Sequence, residues 1–335
     1  MKYRLYLGLA LLILAARFAS ADINGYFSFE FVKGQAESNL AQGSFQKVMA
    51  GLIFSGNIAN KLSYNSEVRF WTRGKIELEE AYLSLNPSNS FSIRLGLYLI
   101  PFGKYNTSHR PHQTMLVVPP LSVNNLYPPR WRDIGLLVDG QWGGFFYSAY
   151  LGNGLAESNY LNQGQQFEDN NKNKGRGARA GFSFGRGFEA AYSYYKGKYD
   201  DPDQRNLSLH GVDVSWITQG FQFLTEYSKA DLDNPAGYEK GKAEGYFIEF
   251  SFNIESIRPV VSYQHLKYED IFHGQGFNWP VDKGSGVDDE RSRWSLGLVY
   301  FVSNSAFFKL EYELNREKKI ELKNNLFLLQ LAVSF

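Results

Sequence analysis

The sequence predicts an all-β fold: a transmembrane antiparallel β-barrel of 16 strands with a long, inward-folding third extracellular loop. Three observations lead there. Apolar and polar residues alternate along almost the whole chain, tight turns alternate with long connections, and nothing after residue 21 approaches the length of an apolar helix. A chain that crosses lipid without helices has to close on itself, because an open sheet edge leaves backbone N–H and C=O groups unpaired. Tight turns on one rim and long loops on the other are expected of an outer-membrane barrel, whereas a soluble sandwich has no reason to sort its loops by end.

The first segment reads as an export signal. Lys2 and Arg4 precede the apolar run LYLGLALLILAA, and Ala19 and Ala21 occupy the small-residue positions of a cleavage site. Residues 1–21 are therefore expected to be removed after Ala21, leaving a barrel of residues 22–335. Loss of Lys2, Arg4 and Arg17 takes the formal net charge from +1 to −2, a balance that gives no argument for a nucleic-acid partner. The chain has no cysteine, which removes disulfides and thiolate chemistry together.

Strands are expected near 24–32, 45–56, 62–72, 76–85, 91–99, 133–141, 145–152 and 176–184, then near 188–197, 206–217, 221–230, 243–253, 257–267, 292–302, 306–316 and 322–335. In GYFSFEF, Phe27, Phe29 and Phe31 share one face and Tyr26, Ser28 and Glu30 the other. The stretch 76–85 breaks phase, with Ile76 and Leu78 alternating one way and Ala81, Leu83 and Leu85 the other, so a bulge or a membrane exit is expected there. Trp71, Trp131, Trp142, Tyr147, Trp216, Trp294 and Tyr300 fall at strand ends and read as interfacial girdles. The last stretch, NNLFLLQLAVSF, places Phe327, Leu329, Leu331, Val333 and Phe335 on a lipid face, with Gln330 and Ser334 on the lumen face. It is expected to pair with residues 22–32 and leave no edge.

The inward phase carries Glu30, Glu67, Arg69, Arg94, Arg179, Asp213, Glu226, Glu249, Lys309, Glu311 and Glu313. So many charges point to a water-filled interior rather than a packed one. The simplest function is a pore for passive diffusion of small hydrophilic solutes. The longest connection, 100–132, contains Lys104, Arg110, Arg130 and Arg132 with His109 and His112, and no Asp or Glu. Its apolar stretch Met115–Leu121 is expected to pack on the inner wall, presenting the cations to the channel as anion-guiding residues together with Arg69, Arg94 and Arg179. The bland alternative is a set of ordinary extracellular charges, some of them on lipopolysaccharide phosphates.

RLGLYLIPFGKYN (94–106), between ELEEAYLSLNP (77–87) and RWRDIGLLVDGQ (130–141), resembles the phosphate-selective porin family of Gram-negative outer membranes. Arg94, Gly96, Pro101, Phe102, Gly103, Asp133 and Gly135 carry the resemblance. It implies homotrimers, a third loop that narrows the pore, and basic residues that guide anions. Phe335 is similar to the terminal aromatic that outer-membrane assembly machinery recognises in this class.

Other readings use fewer residues. An adhesin or receptor would use the barrel only to anchor surface loops. A hydrolase could be sought in Ser208 and His210 beside Asp200, Asp201 and Asp203, and the same acids could hold calcium at a rim. A strand-end histidine and a solvated acidic loop explain these residues more simply, so no catalytic group, metal or cofactor is expected.

Overall fold

The computed structural model describes residues 21–36, 38, 40–158, 160–236, 240–269, 290–318 and 321–335. Most of the expected export segment and of the acidic connection 268–290 lies outside the described residues. The strands begin with β1 (Asp22–Gly34), β2 (Ser44–Ala59), β3 (Leu62–Trp71), β4 (Ile76–Ser88), β5 (Phe91–Leu99) and β6 (Arg132–Trp142). They continue with β7 (Phe145–Gly152), β8 (Gly175–Ser183), β9 (Phe188–Lys198), β10 (Asn206–Ile217) and β11 (Phe221–Leu232). The last are β12 (Gly241–Phe252), β13 (Ile257–Glu269), β14 (Glu290–Ser303), β15 (Ala306–Glu317) and β16 (Leu326–Ser334). Each pairs antiparallel with its sequence neighbours, and β1 pairs with β16 to close the barrel.

The seam follows the alternation. Phe27 lies opposite Val333 and Phe31 opposite Leu329, apolar against apolar on the outside, while Glu30 faces Gln330 on the inside with a hydrogen bond of 2.9 Å. The Phe335 backbone exchanges hydrogen bonds with Gly25. A Cβ at Gly25 would lie 2.5 Å from the Phe335 ring, so only glycine lets that ring sit on the first strand. The outer wall is apolar around the barrel, with Leu83, Leu95, Tyr192, Val212, Ile248, Leu296, Phe308 and Leu329 all exposed as a lipid-facing surface is.

Two sequence expectations are corrected. Trp131 is fully buried, packed edge-on against Tyr195, and Trp71 turns to Glu77 with an indole hydrogen bond of 2.8 Å; neither belongs to the outer girdle. The interior is also not simply wet: Glu67, Glu79, Glu311 and Glu313 are fully buried, and Asp213, Glu226, Glu249 and Lys309 nearly so. Most of these charges have partners: Arg69 and Arg110 pair with Glu67, Arg179 with Asp213 and Arg293 with Glu313, while segment 100–131 bonds to Glu226, Glu311 and Lys309.

The phase break in β4 is a bulge. Glu67 pairs with Glu80 and Val68 with Leu78, leaving Glu79 as the extra residue. Ile76 and Leu78 therefore face outward, as do Leu83 and Leu85, while both Glu79 and Glu80 face inward. The bulge gives the inner wall two adjacent carboxylates where a regular strand would give one.

Candidate functional site

Segment 100–131 leaves β5 and returns to β6 through a narrow neck. Ile100 N–H donates to the Trp131 carbonyl at 2.8 Å. The Asn106 side chain donates to the carbonyls of Ile100 and Trp131 at 2.8 and 2.9 Å and accepts from Trp131 N–H at 2.8 Å. One buried amide thus ties the ends of a long loop together: it is the partner of the Trp131 N–H and adds to the bonds that the two carbonyls accept from Phe102 and Ile100. Sequence reading passed over Asn106; its position at the end of the PFGKYN motif was the available signal.

Beyond the neck the segment bonds to inward side chains from many strands. Gly103, at φ +65°, donates its N–H to Ser193 on β9, and Tyr105 N–H donates to Glu226 on β11. A Cβ at Gly103 would lie 2.3 Å from a Glu226 oxygen, so both the backbone angle and the space require glycine. Lys309 on β15 donates to the Pro111 carbonyl at 2.5 Å and to Thr114 at 3.1 Å. Two residues along the same strand, Glu311 accepts the N–H groups of Val117 and Val118 at 2.6 and 3.2 Å. Gln264 on β13 accepts from Leu121 N–H at 3.0 Å, at the start of a short helix, Leu121–Asn125.

Apolar packing completes the attachment. Leu116 packs with Val260 and Val299, and Met115 joins the same cluster, which agrees with the expected packing of Met115–Leu121. Phe102, Leu121, Val123, Leu126, Tyr127 and Trp131 form a larger buried cluster with inward residues of β9–β13, including Tyr195, Leu209, Leu224, Phe247 and Leu266. These inward apolar residues were missed in the sequence, where apolar side chains on both phases of NLSLHGVDV were the available sign.

All seven predicted cationic residues are paired with carboxylates. Four of them form one cluster. Arg69 lies 3.3 Å from Glu67 and 3.4 Å from Glu79, and Arg110 lies 2.5 Å from Glu67 and 3.1 Å from Glu80. Arg130 reaches Glu77 and Glu79 at 3.2 and 3.0 Å, and Arg132 pairs with Glu79. His109 is held between them: its Nδ1 donates to the Asn106 carbonyl at 2.8 Å, leaving Nε2 to accept from Arg69 at 3.1 Å. Burial pushes the His109 ring below the usual histidine range, Arg69 adds to this, and Glu79 opposes it. His112 lies tilted against the Tyr26 ring, and its pKa is pushed down to about 4, by burial first and then by Arg110 and Lys309.

The other three stand apart. Arg179 lies 2.6 Å from Asp213 and 2.7 Å from Glu189, and Lys104 reaches the same Glu189 at 3.0 Å. Arg94 lies 3.2 Å from Asp139 and rests over the Tyr82 ring at 5.3 Å. Its side chain is 34% exposed against 1% for Arg69 and 4% for Arg132, so Arg94 meets water while those two arginines do not. The charged lining of a cavity of about 420 Å³ is Glu80, Arg94, Asp139 and Arg179 from the wall and Arg110 from the loop, with Asn65, Tyr82, Ser148 and Thr107 beside them.

The competing chemistry separates in space. Ser208 and His210 lie on the outward phase of β10, with His210 bonded to Tyr192 at 2.6 Å. Asp200 accepts the backbone N–H groups of Gln204 and Arg205, and Asp201 accepts from Asn170. Those acids are committed to shaping the rim.

A closed, even-stranded barrel with an apolar outside and a charged inside defines a transmembrane β-barrel of the outer-membrane type. Residues 8–319 match the model of the Gram-negative porin family, and the chain belongs to that family. Among solved structures, it is similar to the anion-selective porin from Comamonas acidovorans (TM-score 0.69, 12% identity, covering 95% of this chain and 100% of that one). It is also similar to the outer membrane channel DcaP of Acinetobacter baumannii (TM-score 0.68, 14% identity, 95% and 98% covered). A trimer form of OmpT, an outer membrane protein of Vibrio cholerae, gives TM-score 0.67 at 12% identity, with 95% and 99% covered. These likenesses are of fold. An uncharacterized protein of Aquifex aeolicus (strain VF5) is 31% identical over 112 residues, which span 31% of this chain and 26% of that protein.

Proposed function

We infer that the protein is a passive diffusion channel for small hydrophilic solutes, with segment 100–131 as its constriction and a mild preference for anions. The observation that carries this reading is the polar cavity between the loop and β3–β8, which shares Arg94, Asp139 and Ser148 as wall residues with a second cavity of about 550 Å³. Arg94 is the most exposed of the cations that line the first cavity, which supports the sign of the preference. Arg69, Arg110, Arg130 and Arg132 serve chiefly to hold the loop. Phosphate, the solute class suggested by the resemblance at 94–106, would have to displace buried glutamates to reach them. Arg94, the most exposed of the seven, is the main anion-guiding residue in this reading, with Lys104 and Arg179 tied to Glu189.

Export with cleavage after Ala21, insertion by the outer-membrane assembly machinery, contact with lipopolysaccharide and assembly as a homotrimer belong to the same proposal. The trimeric fold relative supports the last of these. The test is planar-bilayer recording on the folded protein under a potassium chloride gradient. Stepwise conductance with a reversal potential displaced toward chloride is expected. A silent barrel would overturn the channel reading in favour of an anchor for surface loops, and displacement toward potassium would overturn the anion preference alone.

A further inference from the structure

We propose that Arg94 and Asp139 form an exchange site for small zwitterions, solutes that carry an ammonium and a carboxylate on one short frame, as α-amino acids do. The inference rests on the channel reading and adds a solute class to it.

Arg94 projects from β5 and Asp139 from the neighbouring β6, at 3.2 Å, with side chains 34% and 27% exposed. Arg94 is a shared wall of three cavities, of about 420, 550 and 370 Å³, so a solute moving among them passes its guanidinium. Each partner has a second hold that keeps it in place when the pair opens. Arg94 lies on the Tyr82 ring, and Asp139 accepts from Ser148 at 2.6 Å and from Ser92 at 3.4 Å. A half-exposed pair of this kind contributes little by itself and opens readily.

Charge balance then selects the visitor. A simple anion that takes Arg94 leaves Asp139 with hydroxyl partners only, and a simple cation that takes Asp139 leaves Arg94 on its ring. Either exchange strands one charge in a partly desolvated wall. A zwitterion supplies a carboxylate to Arg94 and an ammonium to Asp139, so both wall charges stay paired throughout. The remaining cationic neighbours cannot compete for the solute on equal terms: Arg110 is held by Glu67 and Glu80, and Arg179 by Asp213 and Glu189.

The test is osmotic swelling of liposomes containing the full barrel, with L-threonine compared against erythritol, a neutral polyol of nearly equal mass. Threonine is expected to enter about two- to fivefold faster than erythritol, the range given by one weak ion-pair exchange, and its rate should saturate with concentration. Arg94→Gln and Asp139→Asn should each bring the ratio to about one, with each variant's threonine rate scored against its own erythritol rate; the charge-swapped double variant, Arg94→Asp with Asp139→Arg, should restore part of it. Heat-modifiable gel mobility identifies the folded variants for scoring. A ratio near one in the parent protein, or a raised ratio that survives both single substitutions, overturns the zwitterion site. Absence of erythritol entry would instead overturn the channel reading on which it rests.

Discussion

Glu79 is the residue whose loss should release the loop from β4. It is the bulge residue, fully buried, and it meets Arg69 at 3.4 Å, Arg130 at 3.0 Å, His109 at 3.3 Å and Arg132. Four arginines and four glutamates balance in the cluster; Glu79→Gln keeps the shape and leaves one positive charge without a counterpart. Removing one partner from a buried ion pair costs about 3–5 kcal/mol. At about 1.4 kcal/mol per factor of ten, the docked arrangement of the loop ends loses at least about 100-fold in relative population. The barrel wall, held by its strand ladders, should survive, so the variant is expected to keep its heat-modifiable mobility. In single-channel recording it should show larger and noisier steps than the parent. Glu79→Gln combined with Arg132→Met removes one charge of each sign, and the pair should be less noisy than the sum of the two single variants implies. Quiet, parent-sized steps from Glu79→Gln would refute the claim that the cluster fixes the loop.

Two further outcomes concern the same loop. His112 has its pKa lowered to about 4 where it docks, against about 6.5 for a free histidine, so protonation favours the undocked loop. Docking is therefore fully supported above about pH 6.5 and weakens as pH falls toward 4; His109 shifts in the same direction. Current noise should rise across that window, and His112→Gln should flatten the rise; an unchanged profile would show that His112 does not report on docking. Gly103→Ala places a Cβ 2.3 Å from Glu226 at φ +65°, a conformation that costs an L-residue roughly 1–2 kcal/mol even without the clash. It should raise the noise at neutral pH without changing strand content by circular dichroism, and a silent phenotype would mean that the Gly103 turn can relax.

The wall was legible because side-chain direction in a strand has a strict period of two. Each of the 16 strands has an observed counterpart, the largest boundary difference being Leu326 against an expected start at 322. The bulge was legible for the same reason: one extra residue reverses the phase, and Ile76 and Ala81 record the reversal. Phase says which face a residue occupies and nothing about what covers it. Glu67, Glu311 and Glu313 were assigned to the inner face, but their burial depends on partners from other elements, such as Val117 meeting Glu311 across 194 residues of sequence. Arg110, Arg130 and Arg132 stand out by composition, while their neutralisation by Glu67, Glu77, Glu79 and Glu80 required the fold. Trp131 illustrates the same limit, since a tryptophan at a strand end suits a girdle and an inner cluster equally well until its neighbours are known.

The clamp at Lys309 and Glu311 has a consequence for the order of assembly. Pro111, Val117 and Val118 are made early in the chain, yet the side chains that hold them belong to the next-to-last strand. Until β15 joins the sheet, the middle of the loop has lost those three backbone contacts and pays loop entropy without their return. The middle of the loop thus gains its last backbone anchors only when β15 is in place, so its attachment is completed together with the wall.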